Sequence, residues 1–234
     1  MAIKLTSTKQ AAQLNGLKIC VYGASGAGKT RLCATTGAPT VIISAESGLL
    51  SLRDADIPVI EVQTLQDVFD AYQFVSQSAE AAHFEWVCLD SISDIGEAVL
   101  SAEKKASKDP RQAYGAMADQ MHELVRAFRD LPGKNVYFSA KMEKQKDEQT
   151  GSMLYSPSMP GQKLGQALPY FFDEVLVLRA EKDADGNLAR FFQTAGDFNF
   201  SAKDRSGVLD LYEPADLSLI HKKITEVIPS GIRS

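Results

Sequence analysis

The 234-residue chain contains no apolar run approaching the ~18–20 residues that span a bilayer, so no membrane helix is expected. Its first residues, MAIKLTSTKQAAQLNG, lack the apolar core of a secretion signal, which points to the cytoplasm. The three cysteines, Cys20, Cys33 and Cys88, show no metal-binding spacing, and two of them sit in apolar runs as buried thiols do. The three histidines, His83, His122 and His221, do not cluster. Positive charge is not in excess: 25 Lys and Arg against 30 Asp and Glu leave a net charge of −5. That balance argues against a protein coated in nucleic-acid-binding charge and leaves room only for local basic loops. There is no internal repeat and no linker. The expected organisation is a polar arm over 1–17 and one domain over 18–234, closing with a helix and tail over 214–234.

Against these absences stands one stretch that organises the rest, Ile19 to Thr30, ICVYGASGAGKT. A short apolar run precedes Gly23-Ala24-Ser25-Gly26-Ala27-Gly28-Lys29-Thr30, which is the G-x-x-x-x-G-K-[ST] phosphate loop. Glycines let successive backbone N–H groups curl around a phosphate where a Cβ would crowd its oxygens. Lys29 faces the β- and γ-phosphates, and the Thr30 hydroxyl is a Mg²⁺ ligand. A helix expected from near Gly28 to Thr36, carrying Arg31 in its first turn, points its positive end at the same anion. The order of the glycines does not support a dinucleotide fingerprint.

Further along, Thr40–Ser44 and Val59–Val62 read as short buried strands, and Leu65 to Ala79 has helical periodicity. Phe84 to Ser91 is a strand ending on Asp90. Helical sequence runs from Ile92 to Lys108, breaks at Asp109-Pro110, and resumes from Gln112 to Leu131. Asn135–Ser139 is another strand. It enters a polar stretch, Lys141–Lys163, whose tip at Gln149-Thr150-Gly151 looks like a hairpin and whose length suggests a functional loop. Asp185-Gly186-Asn187 marks a second hairpin between two more strands. A short strand near Asn199–Ala202 and a helix from Ala215 to Val227 follow. The fold class is α/β: a mainly parallel sheet flanked by helices, with an antiparallel C-terminal edge.

A phosphate loop needs a carboxylate from another strand to hold Mg²⁺, and Asp90 has that form. A group that orients water against the γ-phosphate is also needed. Glu46 follows the second strand, where carboxyl ends of parallel strands face the ligand crevice. A helix-capping Asp90 and a surface Glu46 are the plainer readings of the same positions.

Ser44-Ala45-Glu46, Leu89-Asp90-Ser91 and Phe138-Ser139-Ala140-Lys141, each closing a strand, together with the phosphate loop, resemble the RecA family of ATPases. The likeness is nearest to the compact phage RecA-like proteins of recombination and single-strand annealing. It implies that Glu46 is the catalytic base, Asp90 the Walker B carboxylate and Lys141 the γ-phosphate sensor. It also implies that the Lys141–Lys163 loop meets single-stranded DNA, with Lys144, Lys146, Tyr155 and Lys163 as contacts. Ala202-Lys203-Asp204-Arg205-Ser206-Gly207 is similar to the family segment whose cations, here Lys203 and Arg205, reach the ATP of an adjacent subunit. The implied ligands are ATP and Mg²⁺. The implied partners are single-stranded DNA, further copies in a filament or ring, and a single-strand-binding protein.

A second basic stretch, Lys104, Lys105, Lys108 and Arg111, carries a net +2 with Glu103 and Asp109, against a net +1 for the Lys141–Lys163 loop. Both fields are weak, and solvated charge is the plainer reading of each. Two other functions fit the phosphate loop: a DNA-binding scaffold in which ATP drives assembly and is barely hydrolysed, and a P-loop kinase or helicase-like motor. The kinase lacks an arginine-rich lid.

Overall fold

The computed structural model describes residues 5, 7, 16–46, 48–146, 151, 153–182 and 185–226, with Gln162 and Lys163 described by backbone alone. Most of the 1–17 arm, the hairpin tip at 147–150 and the tail beyond 226 lie outside the described residues, as does the side chain of Lys163.

Among the described residues, ten strands form one sheet. In chain order they are β1 (Lys18–Gly23), β2 (Thr40–Ser44), β3 (Val59–Glu61), β4 (Trp86–Asp90), β5 (Asn135–Lys146), β6 (Met153–Pro157), β7 (Glu174–Lys182), β8 (Leu188–Gln193), β9 (Lys203–Asp204) and β10 (Tyr212–Pro214). The spatial order is β10-β8-β7-β1-β5-β4-β2-β3, with β6 paired to β5 and β9 to β7. From β7 to β3 the pairs are parallel, and β8 and β10 add the antiparallel edge.

Every residue of β1, β2 and β4 is buried, as a parallel sheet covered on both faces requires. Alternation along β1 sends Cys20 and Tyr22 to one face and Ile19 and Val21 to the other. On the first face they meet α1 (Leu65–Gln77), α2 (Ile92–Ala106) and α3 (Pro110–Arg129), through Val68, Ile95, Met121 and Phe128 among others. On the second face the cover is thinner. A 3-10 helix (Thr30–Thr35) and α5 (Leu217–Thr225) supply Leu32, Cys33, Leu217 and Ile220. Between α3 and β7, the short α4 (Gln162–Ala167) links β6 to the last third.

Four local differences from the sequence reading have identifiable causes. The element after the phosphate loop is a six-residue 3-10 helix, not an α-helix. The run is only six residues, bounded by the phosphate loop and by Gly37 at φ +70°, a length at which 3-10 turns are common. The helix after Asp109 begins at Pro110, not Gln112, because a first helical position needs no N–H and Asp109 caps Arg111 N at 2.9 Å. Instead of a strand over Asn199–Ala202 there is a single bridge at Phe200. There Asp197 Oδ1 accepts from Asn199 N and Phe200 N and folds the chain into a turn. β5 also runs seven residues past Ser139 to Lys146, in antiparallel register with β6 from Met142↔Pro157 to Lys146↔Met153. Among the described residues no helix is long and apolar enough to cross a membrane.

Candidate nucleotide site

Parallel strands bring their carboxyl ends to one edge, and β1, β2, β4 and β5 each deliver a polar residue there. The registers Gly23↔Lys141 and Ser44↔Asp90 set these positions side by side. The phosphate loop leaves β1 with Gly26 and Gly28 at φ +75° and +108°, conformations that favour glycine. Lys29 folds back across the loop, its Nζ donating to Gly23 O at 3.0 Å and Ala24 O at 3.1 Å. Burial lowers its pKa, with the carboxylates of Glu46 and Asp90 acting in the opposite direction. Thr30 Oγ1 donates to Asp90 Oδ2 at 2.7 Å, and Ser139 Oγ donates to Asp90 Oδ1. Asp90 is thus buried yet hydrogen-bonded on both oxygens.

Glu46 sits two residues beyond β2, in a turn pinned by Ser44 Oγ donating to Glu46 O at 2.6 Å. Its carboxyl is pushed up to about 7, first by a hydrogen bond with Asp94, then by burial, then by the charges of Asp90 and Asp94. Burial acts to raise Asp94 as well, but hydrogen bonds from Glu46, Lys141 and Ser91 outweigh it and hold that carboxyl below its ordinary range. The two carboxyls titrate as a pair, and a proton shared between them is held more strongly by Glu46 than by Asp94. Lys141 Nζ bridges Asp94 at 2.7 Å and Glu97 at 3.0 Å. Gly28, Lys29, Thr30, Glu46 and Lys141 line a cavity of about 850 Å³ that opens beside the phosphate loop.

Four contributors escaped the sequence reading. Ser139 and Glu97 have no local signature. Asp94 does carry one: Ser91-Ile92-Ser93-Asp94 has the spacing of a helix-capping pair, and Ser91 Oγ accepts from Asp94 N at 3.3 Å. Arg190 comes from β8, more than 160 residues downstream, with Nε donating to Ala27 O at 2.9 Å. A Cβ on Gly28 would lie 3.1 Å from that nitrogen, so the glycine also makes room for the arginine.

Other expected site residues lie elsewhere. Lys203 and Arg205 are at the opposite end of the strands, where β9 pairs with the first residues of β7. Lys203 Nζ donates to Pro169 O at 2.7 Å and Phe172 O at 2.6 Å, while Arg205 pairs with Asp173 at 3.1 Å. Asp204 turns the other way, accepting from Gly207 N and Leu209 N. Lys144 and Lys146 are exposed on the outer half of β5. The Tyr155 ring is stacked on Phe200, centroids 5.2 Å apart, with Lys144 Nζ 5.7 Å from its centre. Lys104, Lys105, Lys108 and Arg111 are exposed around the turn from α2 to α3. Arg31, by contrast, lines the same cavity as the phosphate loop, where it is paired with Asp54 and donates to Ser51 O at 3.0 Å.

A glycine-rich loop closing β1, a carboxylate gripping its threonine from β4, and a parallel sheet ordering both define a P-loop nucleotide-binding core. Residues 15–206 match the AAA domain family, and the chain belongs to that family. It is a P-loop ATPase of the AAA type. No curated protein matches the chain.

Proposed function

We propose that the chain is a RecA-like, Mg²⁺-dependent ATPase that acts on single-stranded DNA in phage-type recombination or annealing, as a homo-oligomer with ATP between subunits. One observation carries the reading. The strand that ends the nucleotide cavity at Lys141 continues without a break into the hairpin bearing Lys144 and Lys146. On this reading β5 is the element that would couple the γ-phosphate end of the cavity to the exposed Lys144 and Lys146.

Thr30 Oγ1 and Asp90 Oδ2, in contact at 2.7 Å, are the hydroxyl–carboxylate set that suits Mg²⁺ and would hold it. The ion, when bound, offsets charge on the β- and γ-phosphates. Glu46, once ionised, takes the proton of the attacking water. Lys141, released from Asp94 and Glu97, faces the γ-phosphoryl oxygens. Arg205, more exposed than Lys203 and paired only at its surface, is the cation available to an adjacent subunit.

A second reading, an ATP-regulated DNA-binding scaffold with negligible hydrolysis, is favoured by the raised carboxyl of Glu46, which leaves part of it protonated at neutral pH, and by Lys141 being tied to two carboxylates. ATP turnover measured with and without single-stranded DNA separates the two. The first reading expects Mg²⁺-dependent turnover that rises with DNA. ATP binding with no turnover under either condition supports the scaffold. Turnover indifferent to DNA removes the DNA role.

A further inference from the structure

The hairpin of β5 and β6 has two unlike faces. Residues paired directly across it share a face, and alternation sends Lys144 and Lys146, with Tyr155 and Met153 opposite them, to one side. The one acid among its described residues, Glu143, falls on the other side, where it accepts from Ser158 Oγ at 2.9 Å and from Gln145. A third segment widens the cationic face. Tyr155 N donates to Asn199 O at 2.6 Å and Ser201 N to Tyr155 O at 2.9 Å, which stitches residues 199–201 alongside β6. Phe200 stacks on Tyr155, and a cation stands over each ring. Lys144 Nζ is 5.7 Å from the centre of Tyr155, and Arg179 Cζ is 4.4 Å from the centre of Phe200.

Phe198 is at the crest of the turn that leads into this segment. Asp197 N donates to Phe200 O at 3.0 Å, and Asp197 Oδ1 accepts from Asn199 N at 2.7 Å and Phe200 N at 2.8 Å. The backbone on both sides of Phe198 is thereby fixed, yet the residue is 92% exposed. Its ring lies two residues from Phe200, within about 7 Å along the chain. The carboxylate of Asp197 is spent on these N–H groups and on Gln193, and that of Glu181 on Arg179. A rigidly presented, solvated aromatic ring therefore adjoins a face whose exposed charges are the two lysines.

We infer that Phe198 is the base-stacking residue of a single-stranded nucleic acid site, with Lys144 and Lys146 on the phosphates of the same strand. The inference rests on the single-strand reading above and names where the bases go. The ring of Tyr155 is already engaged by Phe200 and Lys144, so it supports the platform instead of receiving a base. An unpaired base offers a π-face to Phe198, and the strand it belongs to carries the charge that the lysines meet. A duplex keeps its bases stacked on one another and offers this ring no partner.

Anisotropy titrations of labelled oligothymidylate at several salt concentrations test this with the full chain, Phe198→Ala and Phe198→Trp. An abasic oligomer of the same length is titrated alongside. Phe198→Ala should weaken oligothymidylate binding at least about fivefold, the loss of one base stack. The slope of log affinity against log salt should stay the same, because no phosphate contact is removed. Phe198→Trp should keep the affinity. The abasic oligomer should bind the unmodified protein and Phe198→Ala alike. Phe198 does not line the nucleotide cavity, so unchanged ATP affinity in both variants reports an intact fold. Equal oligothymidylate affinity in Phe198→Ala, or an equal loss on the abasic oligomer, would overturn the stacking site while leaving the single-strand reading standing. A fall in oligomeric mass of Phe198→Ala by sedimentation, with oligothymidylate affinity unchanged, would assign the ring to a contact between copies instead. If the unmodified protein binds no single strand, the single-strand reading falls and the stacking site with it.

Discussion

Asp94→Asn should move the pH dependence of ATP turnover to lower pH. In the proposed mechanism Glu46 serves as a base only when ionised, and its carboxyl stands at about 7 where an unperturbed glutamate stands at 4.5. The sign follows: turnover rises with pH through about 7, and at pH 6 about one Glu46 in ten is ionised. The largest cause of the upward shift is the hydrogen bond with Asp94, and the Asp94 charge adds to it. Asparagine removes the charge and weakens the acceptor. A fall of about one unit would leave about half of Glu46 ionised at pH 6, a several-fold gain in relative rate there. Lys141 keeps its 3.0 Å contact with Glu97 in this variant, so the plateau rate can change while the inflection remains the readout. The assay is steady-state turnover at saturating Mg²⁺ and ATP from about pH 5 to 9. An inflection unmoved in Asp94→Asn, or a wild-type profile flat through neutrality, refutes the carboxyl-pair argument.

Other expectations follow from the same geometry. Glu46→Gln should keep ATP affinity and lose most turnover, read by parallel binding and rate measurements; joint loss of both would mean a structural role. Neutralising Lys144 and Lys146 should weaken single-stranded DNA binding and reduce the slope of log affinity against log salt by about 1.4, with ATP binding unaffected. An unchanged slope would redirect attention to Lys104, Lys105, Lys108 and Arg111. Glu174 is 1% exposed, and burial, with the Asp204 charge beside it, raises its carboxyl to about 8. The unfolded chain loses that proton near its ordinary value, so the native state pays increasingly as pH rises from about 4.5 to 8. Glu174→Gln should therefore raise Tm at pH 8 by at least about 2 °C relative to its effect at pH 4. Equal shifts at both pH values would contradict the burial argument.

What was legible in the sequence is what each strand carries at its own end. Gly23 to Thr30, Glu46, Asp90 and Lys141 each follow an apolar run directly, and parallel pairing then aligns them without further instruction. The partners that tune them were not legible, because they arrive across the fold. Lys141 meets Glu97 over 44 positions, and Arg190 meets Ala27 over 163. Nothing in the local pattern around Arg190 distinguishes it from any exposed strand residue. The hairpin over 141–157 was visible as extended polar sequence. Its continuity with β5 was not, since Lys141 to Lys146 reads by composition as loop although Met142 to Lys146 pair with β6. The 3-10 helix over Thr30–Thr35 was misread because spacing suggests a helix without saying which kind, and a run this short between the phosphate loop and Gly37 takes the 3-10 form.

The central claim is that residues 23–30 hold the phosphates of ATP, with Lys29 as their principal cation. Lys29 Nζ already spans two loop carbonyls at 3.0 and 3.1 Å, and bound phosphates replace those acceptors with a stronger, charged one. Titration of a fluorescent ATP analogue into the unmodified protein and into Lys29→Ala is the most direct test. The account predicts saturable, Mg²⁺-dependent binding by the first and a loss of affinity of at least about tenfold in the second. Equal affinity in the two proteins would contradict it.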